Sequence, residues 1–162
     1  MVTELSQVMP IPAGLQAPGT KDAAFSPVMR VSELGPGAMQ RVSAGDLDVL
    51  ILRTSCGLVA IDDRCPHMAA PLSVGRLEGC EVQCPLHQGR FDLVSGDTVR
   101  FPTTGGLDAD GGYHATWSPP GGPPKPEPSD DKARARALTR VRRLRYYRLR
   151  VQGDHIEVAI PG

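Results

Sequence analysis

Two short segments of this chain carry side chains suited to holding a soft metal. Residues 65–67 read Cys-Pro-His and residues 84–87 read Cys-Pro-Leu-His, with sixteen residues between them. Because at most two residues separate the donors within a segment, both can face one concavity where the backbone turns tightly. Four thiolate and imidazole donors can hold one tetrahedral zinc ion or an iron-sulfur cluster. The four candidate ligands are Cys65, His67, Cys84 and His87.

The order of the donors bears on these alternatives. Zinc fingers usually pair cysteine with cysteine and histidine with histidine along the chain, whereas each segment here carries one of each. In this order and spacing the sequence resembles the Rieske family, in which two cysteines bind one iron of a [2Fe-2S] cluster and two histidines bind the other. The resemblance rests on IDDRCPHMAAPLSVGRLEG and CPLHQGRFDLVSG. It runs from about residue 28 to residue 101, resumes near Tyr146, and points to the soluble ferredoxins that serve ring-hydroxylating oxygenases.

The resemblance implies a ligand set. Carried over residue by residue, it places Cys65 and Cys84 on the inner iron as thiolates. It places His67 and His87 on the outer iron, nearer solvent. We therefore expect one Rieske-type [2Fe-2S] cluster per chain.

The positions around the ligands indicate the low-potential subclass. High-potential Rieske proteins carry an extra cysteine in each loop, joined as a disulfide, and the matching positions here look like Ala70 and Leu86. Those proteins also aim serine and tyrosine hydroxyls at the sulfurs, where this chain has Gly89 and Phe91. Since fewer hydrogen bonds stabilise the reduced cluster less, we expect a midpoint potential near the bottom of the range of about −150 to +300 mV for Rieske centres. The family commonly has glycine directly after the second histidine, and Gln88 departs from that pattern.

The two remaining cysteines, Cys56 and Cys80, lack ligand spacing. Nothing in the sequence places the chain in an oxidising compartment, so we expect both thiols to be reduced.

Length and composition favour one β-rich domain. The 162 residues include 18 glycines and 16 prolines, and short β-rich runs bounded by turn residues follow one another from residue 28. This pattern predicts an all-β fold: a Rieske-like antiparallel β-sandwich or barrel, with a small cluster-binding subdomain formed by two loops at one tip. Residues 1–27 are rich in proline without a sustained period, which predicts a flexible N-terminal arm before a Rieske domain over 28–162.

Two later stretches stand apart in composition. Residues 103–138 are rich in proline and glycine, which predicts an insertion that forms a surface loop. Eight arginines then lie between Arg134 and Arg150. We expect most of them to face water, with docking against an acidic redox partner as the alternative. A nucleic-acid partner is not expected, because the net charge is zero and aromatic residues are few.

Electron transfer is the function that fits these features. A self-contained oxygenase also needs a mononuclear iron site in a sizeable second domain, and the two histidines left over, His114 and His155, form no such pattern. We expect a one-electron carrier between a reductase and an oxygenase, and not an enzyme in itself. A Rieske-like small subunit of a nitrite-reductase-type complex and a structural zinc or non-redox binding module are the alternatives. No run of residues is apolar enough to span a bilayer, so we expect a cytoplasmic protein.

Overall fold

The computed structural model describes residues 7–124, 126 and 129–161, in which β-strands predominate. One α-helix, α1, spans Asp130–Leu138, and 3-10 turns lie at Val31–Glu33 and Leu72–Val74. None of the described helices is long and apolar enough to cross a membrane. The strands are β1 Phe25–Arg30, β2 Met39–Ala44, β3 Leu47–Thr54, β4 Gly57–Asp62, β5 Arg76–Glu78, β6 Glu81–Gln83, β7 Arg90–Asp92, β8 Thr98–Arg100, β9 Gly106–Leu107, β10 Tyr113–His114, β11 Tyr146–Tyr147, β12 Leu149–Gln152 and β13 His155–Ala159.

These strands form four antiparallel sheets within the described residues. The central sheet has the order β11-β4-β3-β2, the outer sheet β1-β13-β12 and the cluster-side sheet β5-β6-β7-β8. Strands β9 and β10 form a small hairpin of their own. The predicted all-β, antiparallel fold is confirmed, although no closed barrel forms among the described strands.

The central sheet lies between two hydrophobic cores because β3 and β4 are apolar on both faces. Leu50 and Leu52 pack into the core shared with the cluster-side sheet. Val49 and Ile51 pack into the core shared with the outer sheet. All four side chains are fully buried. Since successive side chains of a strand point to opposite faces, the continuous run VLIL is what a strand covered on both sides requires.

The N-terminal segment 7–24 differs from the predicted flexible arm, because it packs along the central sheet. The backbone of Met9 donates to the carbonyl of Leu58 at 2.8 Å, and Ala17 donates to the carbonyl of Tyr146 at 2.7 Å. Gly57 permits this approach, since a Cβ there would lie 2.5 Å from the carbonyl oxygen of Gln7. The contacts use main-chain groups, which the side-chain pattern does not reveal. Residues 1–6 of the predicted arm lie outside the described part.

The predicted insertion also contains more regular structure than a surface loop. Its first part forms the β9–β10 hairpin and its last part forms α1. The two ends meet where Leu107 donates to the carbonyl of Thr139 at 2.8 Å and Val141 donates to the carbonyl of Leu107 at 2.7 Å. No residue of α1 is buried. The helix therefore lacks the apolar period that would have predicted it.

The prediction that Cys56 and Cys80 are reduced is wrong, because the structure joins them in a disulfide. Cys56 lies in the turn between β3 and β4, and Cys80 lies in the turn between β5 and β6. Their Cα atoms are 6.0 Å apart, a separation that a disulfide spans without moving the backbone. The bond ties the central sheet to the cluster-side sheet, a proximity that arises only when the two sheets pack.

Candidate metal centre

The four candidate ligands lie on two loops with the same backbone design. Loop 1, residues 63–71, follows β4, and loop 2, residues 84–89, connects β6 to β7. In loop 1 the amide of Cys65 donates to the carbonyl of Ala70, five residues on, at 2.8 Å. In loop 2 the amide of Cys84 donates to the carbonyl of Gly89, also five residues on and at 2.8 Å. Each loop thus curls back on its cysteine.

In each loop, the residue before the carbonyl that accepts the cysteine amide adopts a left-handed conformation. Ala69 has φ of +60° and Gln88 has φ of +59°. This conformation lets the chain reverse within a few residues, and glycine adopts it at the lowest cost. Gln88 is at the position where the family commonly has glycine. This chain therefore forms the turn with a non-glycine residue, whose side chain makes the left-handed conformation strained.

The two cysteines form one buried pair. Cys65 is 5% exposed and Cys84 is 3% exposed, and their thiols hydrogen-bond to each other. The bond from the Cys65 thiol lowers the pKa of Cys84 to about 7. The same bond, together with burial, raises the pKa of Cys65. The pair therefore gives up its first proton readily, as a thiolate ligand must.

The two histidines form a second pair, nearer the surface. The ring centroids of His67 and His87 lie 5.2 Å apart, with the ring planes at 79°, and both side chains are half-buried. Burial, reinforced by the neighbouring His87, lowers the pKa of His67 to about 4. His67 is therefore neutral at pH 7, which leaves a ring nitrogen able to bind a metal.

This arrangement of donors fits a binuclear cluster. The donors are arranged as two pairs, with thiol beside thiol and ring beside ring. One buried thiol pair and one outer imidazole pair match a [2Fe-2S] cluster with two cysteines on one iron and two histidines on the other.

Comparison with known protein families agrees with this geometry. The family model of the Rieske [2Fe-2S] domain matches residues 24–110. The chain belongs to the Rieske [2Fe-2S] domain family. Its cofactor is accordingly a Rieske-type [2Fe-2S] cluster, as the ligand order predicted.

Individual Rieske relatives include both small and large proteins. The ferredoxin component of the naphthalene 1,2-dioxygenase/salicylate 5-hydroxylase systems of Ralstonia sp. is 35% identical over 74 residues, which cover 46% of this chain and 71% of the relative. Apoptosis-inducing factor 3 of Mus musculus is 33% identical over 99 residues, 61% of this chain but 16% of that protein. Among solved structures, the ferredoxin of carbazole 1,9a-dioxygenase from Nocardioides aromaticivorans IC177 has a TM-score of 0.56 at 23% identity, covering 86% of this chain and all of that one.

A short series of contacts holds loop 2 of this Rieske domain. The guanidinium of Arg100 donates to the carbonyl of Gln88 through Nε at 3.2 Å and Nη2 at 3.0 Å. The same guanidinium lies 4.9 Å from the ring centroid of Trp117. The indole N–H of Trp117 donates to the carbonyl of Phe101 at 2.6 Å. The predicted insertion thus supplies a residue that supports the cluster loop.

Loop 1 is held at its base by a buried carboxylate. Asp63 is 2% exposed and accepts hydrogen bonds from the amide of Ser73 at 2.7 Å and from its hydroxyl at 2.6 Å. Arg41 of β2 completes the contacts, with Nη1 3.3 Å from the carboxylate. Loop 1 is therefore fixed both to the following 3-10 turn and to the central sheet.

Several residues at this site carry no signal in the amino-acid sequence. The hydroxyl of Thr104 lies 3.3 Å from Nε2 of His67, and the amide of Thr103 donates to the carbonyl of His87 at 2.8 Å. Both threonines fall within the predicted insertion, where nothing marks them. Asp63 lies two residues before Cys65, but nothing at that position in the sequence signals a buried carboxylate. Their roles emerge only from the packing of loops distant in sequence.

Proposed function

We propose that this chain is a one-electron carrier that takes an electron from a reductase and passes it to an oxygenase. The observation that carries the proposal is the placing of the two donor pairs, with the thiols buried and the imidazoles at the surface. An electron crosses between proteins most readily where a redox centre approaches the surface, and the histidine pair provides that edge. We also propose the division into an N-terminal segment, 1–27, and a Rieske domain, 28–162.

Each ligand has a defined part in this proposal. Cys65 and Cys84 would hold the inner iron, and His67 and His87 the outer iron. The bound cluster supplies reversible one-electron oxidation and reduction. The chain itself excludes water from the thiol pair, fixes the curl of both loops and presents the imidazole edge to a partner.

The relatives support the choice of partners. Several are named as ferredoxin components of dioxygenase systems, and one solved neighbour is a complex of oxygenase and ferredoxin in carbazole 1,9a-dioxygenase. We therefore infer that the acceptor is an oxygenase and the donor a reductase, and that the chain is an electron-transfer component rather than an enzyme. Its cytoplasmic location stays a prediction.

Metal analysis and EPR spectroscopy test the proposal directly. Protein purified without oxygen should contain two irons and two acid-labile sulfides per chain, and dithionite should produce the rhombic EPR signal of a reduced Rieske centre. We expect a midpoint potential near the bottom of the range of about −150 to +300 mV. A protein that binds one zinc and no sulfide would contradict the proposal, and a potential above about +100 mV would contradict the low-potential assignment.

Ligand variants make the same experiment specific. Cys84→Ser should abolish the EPR signal, because an alcohol replaces a thiolate ligand. Cys56→Ser is the matched control, since this cysteine lies outside both loops. It should lower stability through loss of the disulfide, but under conditions where the variant stays folded it should retain the signal.

A further inference from the structure

Five arginines line two neighbouring hollows beside loop 1. The smaller hollow, of about 150 Å³, is bordered by Cys65 and Pro66 of the loop. The larger, of about 360 Å³, extends towards the N-terminal segment at Leu15. We call the arginines that line the two hollows the arginine surface: Arg64, Arg140, Arg142, Arg143 and Arg145.

The arginine surface is fixed to the ligand loop through the main chain. The amide of Arg142 donates to the carbonyl of Pro66 at 3.3 Å, and the amide of Asp62 donates to the carbonyl of Arg145 at 2.9 Å. These contacts bind the segment before β11 along the start of loop 1. The surface therefore borders Pro66, the residue directly before His67.

Carboxylates neutralise only part of this surface. Arg64 lies 3.6 Å from Asp62, and Arg143 contacts both Asp97 and Asp110. Asp62 also acts electrostatically on Arg145, and Asp108 on Arg143. Five arginines therefore face four aspartates, which leaves a small positive excess on this surface in a chain whose net charge is zero.

Two of these arginines form no ion pair with a carboxylate among the described residues. Among the described residues, no carboxylate lies within ion-pairing distance of Arg142 or Arg145, and both side chains are exposed. Unpaired guanidinium groups beside a hollow are suited to carboxylates, which they bind through paired hydrogen bonds.

Exposed apolar side chains lie on the ligand loops themselves. Met68, directly after His67, is 60% exposed, and Leu86, directly before His87, is 56% exposed. An apolar centre flanked by charged residues is the usual arrangement of a protein-protein interface. The charge beside this centre is positive on the loop 1 side.

We propose that the arginine surface docks an acidic face of the redox partner, with partner carboxylates at Arg142 and Arg145. This inference rests on the proposed electron-carrier function and adds the chemistry of the partner. Charges beside an interface act mainly on the rate of encounter and on its salt dependence. The surface therefore orients the partner so that the redox centre of the partner lies close to His67 and His87.

The reaction rates of charged oxidants report the local electrostatic potential of the protein surface near His67 and His87. The dithionite-reduced protein is freed of excess dithionite and mixed with hexacyanoferrate(III), an anion, or hexaammineruthenium(III), a cation, at increasing ionic strength. The rate with the anion should fall about threefold or more, and the rate with the cation should rise, because salt screens a positive surface. Net charge cannot produce these trends, because the chain sums to zero and a reduced cluster with its two thiolates adds −1, which would favour the opposite trends.

Matched charge reversals locate the effect. Arg142→Glu and Arg145→Glu should each reduce the salt dependence seen with the anion, with the EPR signal and midpoint potential unchanged. Arg30→Glu introduces the same change of charge on the outer sheet, which contributes no residue to either loop, and should leave the salt dependence as in the wild type. Equal effects of Arg30→Glu and Arg142→Glu would overturn the proposal.

Competition by polymers tests the nature of the partner. Polyglutamate should slow the reaction with hexacyanoferrate(III) in the wild type but not in Arg142→Glu. Tighter binding of a short DNA duplex than of polyglutamate would overturn the assignment of a carboxylate-bearing partner. A protein that transfers electrons with no salt dependence would refute the docking surface alone, whereas a protein without a reducible cluster would refute the carrier function.

Discussion

The least expected conformations at the residue scale lie in the two ligand loops. Ala69 and Gln88 occupy corresponding positions, four residues after each cysteine, and both have positive φ. The family pattern marks Gln88, because relatives commonly have glycine there, but nothing in the sequence marks Ala69. Residue type and spacing predict that the four candidate ligands lie together, whereas they do not predict the backbone strain beside them.

Substitution of Gln88 tests the cost of this conformation. A left-handed conformation costs a non-glycine residue about 1–2 kcal/mol. A substitution by glycine removes this cost, but part of the gain is offset because glycine gives the unfolded chain more conformational freedom. We expect Gln88→Gly to stabilise the protein by about 0.5 kcal/mol and Gln88→Val, with its β-branched side chain, to destabilise it by about 1 kcal/mol or more. Urea unfolding followed by circular dichroism should give the highest free energy of unfolding for Gln88→Gly, an intermediate value for the wild type and the lowest for Gln88→Val. Any order that places valine above glutamine would contradict the assigned conformation.

At the scale of elements, what was predictable depended on whether side chains or main-chain groups make the contacts. The β3–β4 hairpin follows from apolar runs around a glycine-containing turn, because burial acts on side chains. The segment 7–24 pairs with β4 and β11 through main-chain groups, so its proline-rich sequence does not reveal the contact. Helix α1 has no buried residue, so no apolar periodicity could have predicted it.

The predicted insertion divides into a supporting part and a dispensable part. Trp117 stacks on Arg100, which in turn holds the carbonyl of Gln88. Trp117→Ala should lower the free energy of unfolding by about 1–2 kcal/mol, because a cation-π contact and a hydrogen bond are lost, and it should speed loss of the cluster's visible absorbance in air. Trp117→Phe retains a ring and should show a smaller effect.

Shortening of residues 119–128 to a few glycines and serines provides the control for Trp117→Ala. These residues lie beyond Trp117, and the change should leave both the visible spectrum and the rate of cluster loss unaltered. Loss of the cluster in the shortened protein, with Trp117 intact, would show that the support extends further along the insertion.

At the scale of the whole molecule, the central sheet connects the cluster-side sheet to the outer sheet. It shares one core with the cluster-side sheet and another with the outer sheet, and Tyr146 at its edge donates to the carbonyl of Leu93 at 2.7 Å. The disulfide between Cys56 and Cys80 adds a covalent link between the central and cluster-side sheets. Loosening one layer is therefore expected to affect the ligand loops.

Removal of the disulfide measures its contribution to stability. Closing a ring with a sequence separation of 24 residues stabilises a fold by about 3 kcal/mol, mainly by restricting the unfolded chain. We expect Cys56→Ser to lower the free energy of unfolding by about that amount in oxidised protein. After reduction of the wild type, the two proteins should unfold alike. Equal stability without reductant would mean that the bond does not form in solution.

The ring closed by this disulfide includes Cys65 but not Cys84, so the fold brings together two pairs of cysteines that an oxidant could join. In the chain before cluster insertion, the thiols of Cys65 and Cys84 are already in contact, and an oxidant that joined them would leave no thiolate for iron. Burial separates the two pairs: Cys56 is exposed to an oxidant, whereas Cys65 and Cys84 are 5% and 3% exposed. We therefore expect an oxidant in solution to reach the structural pair more readily than the ligand pair.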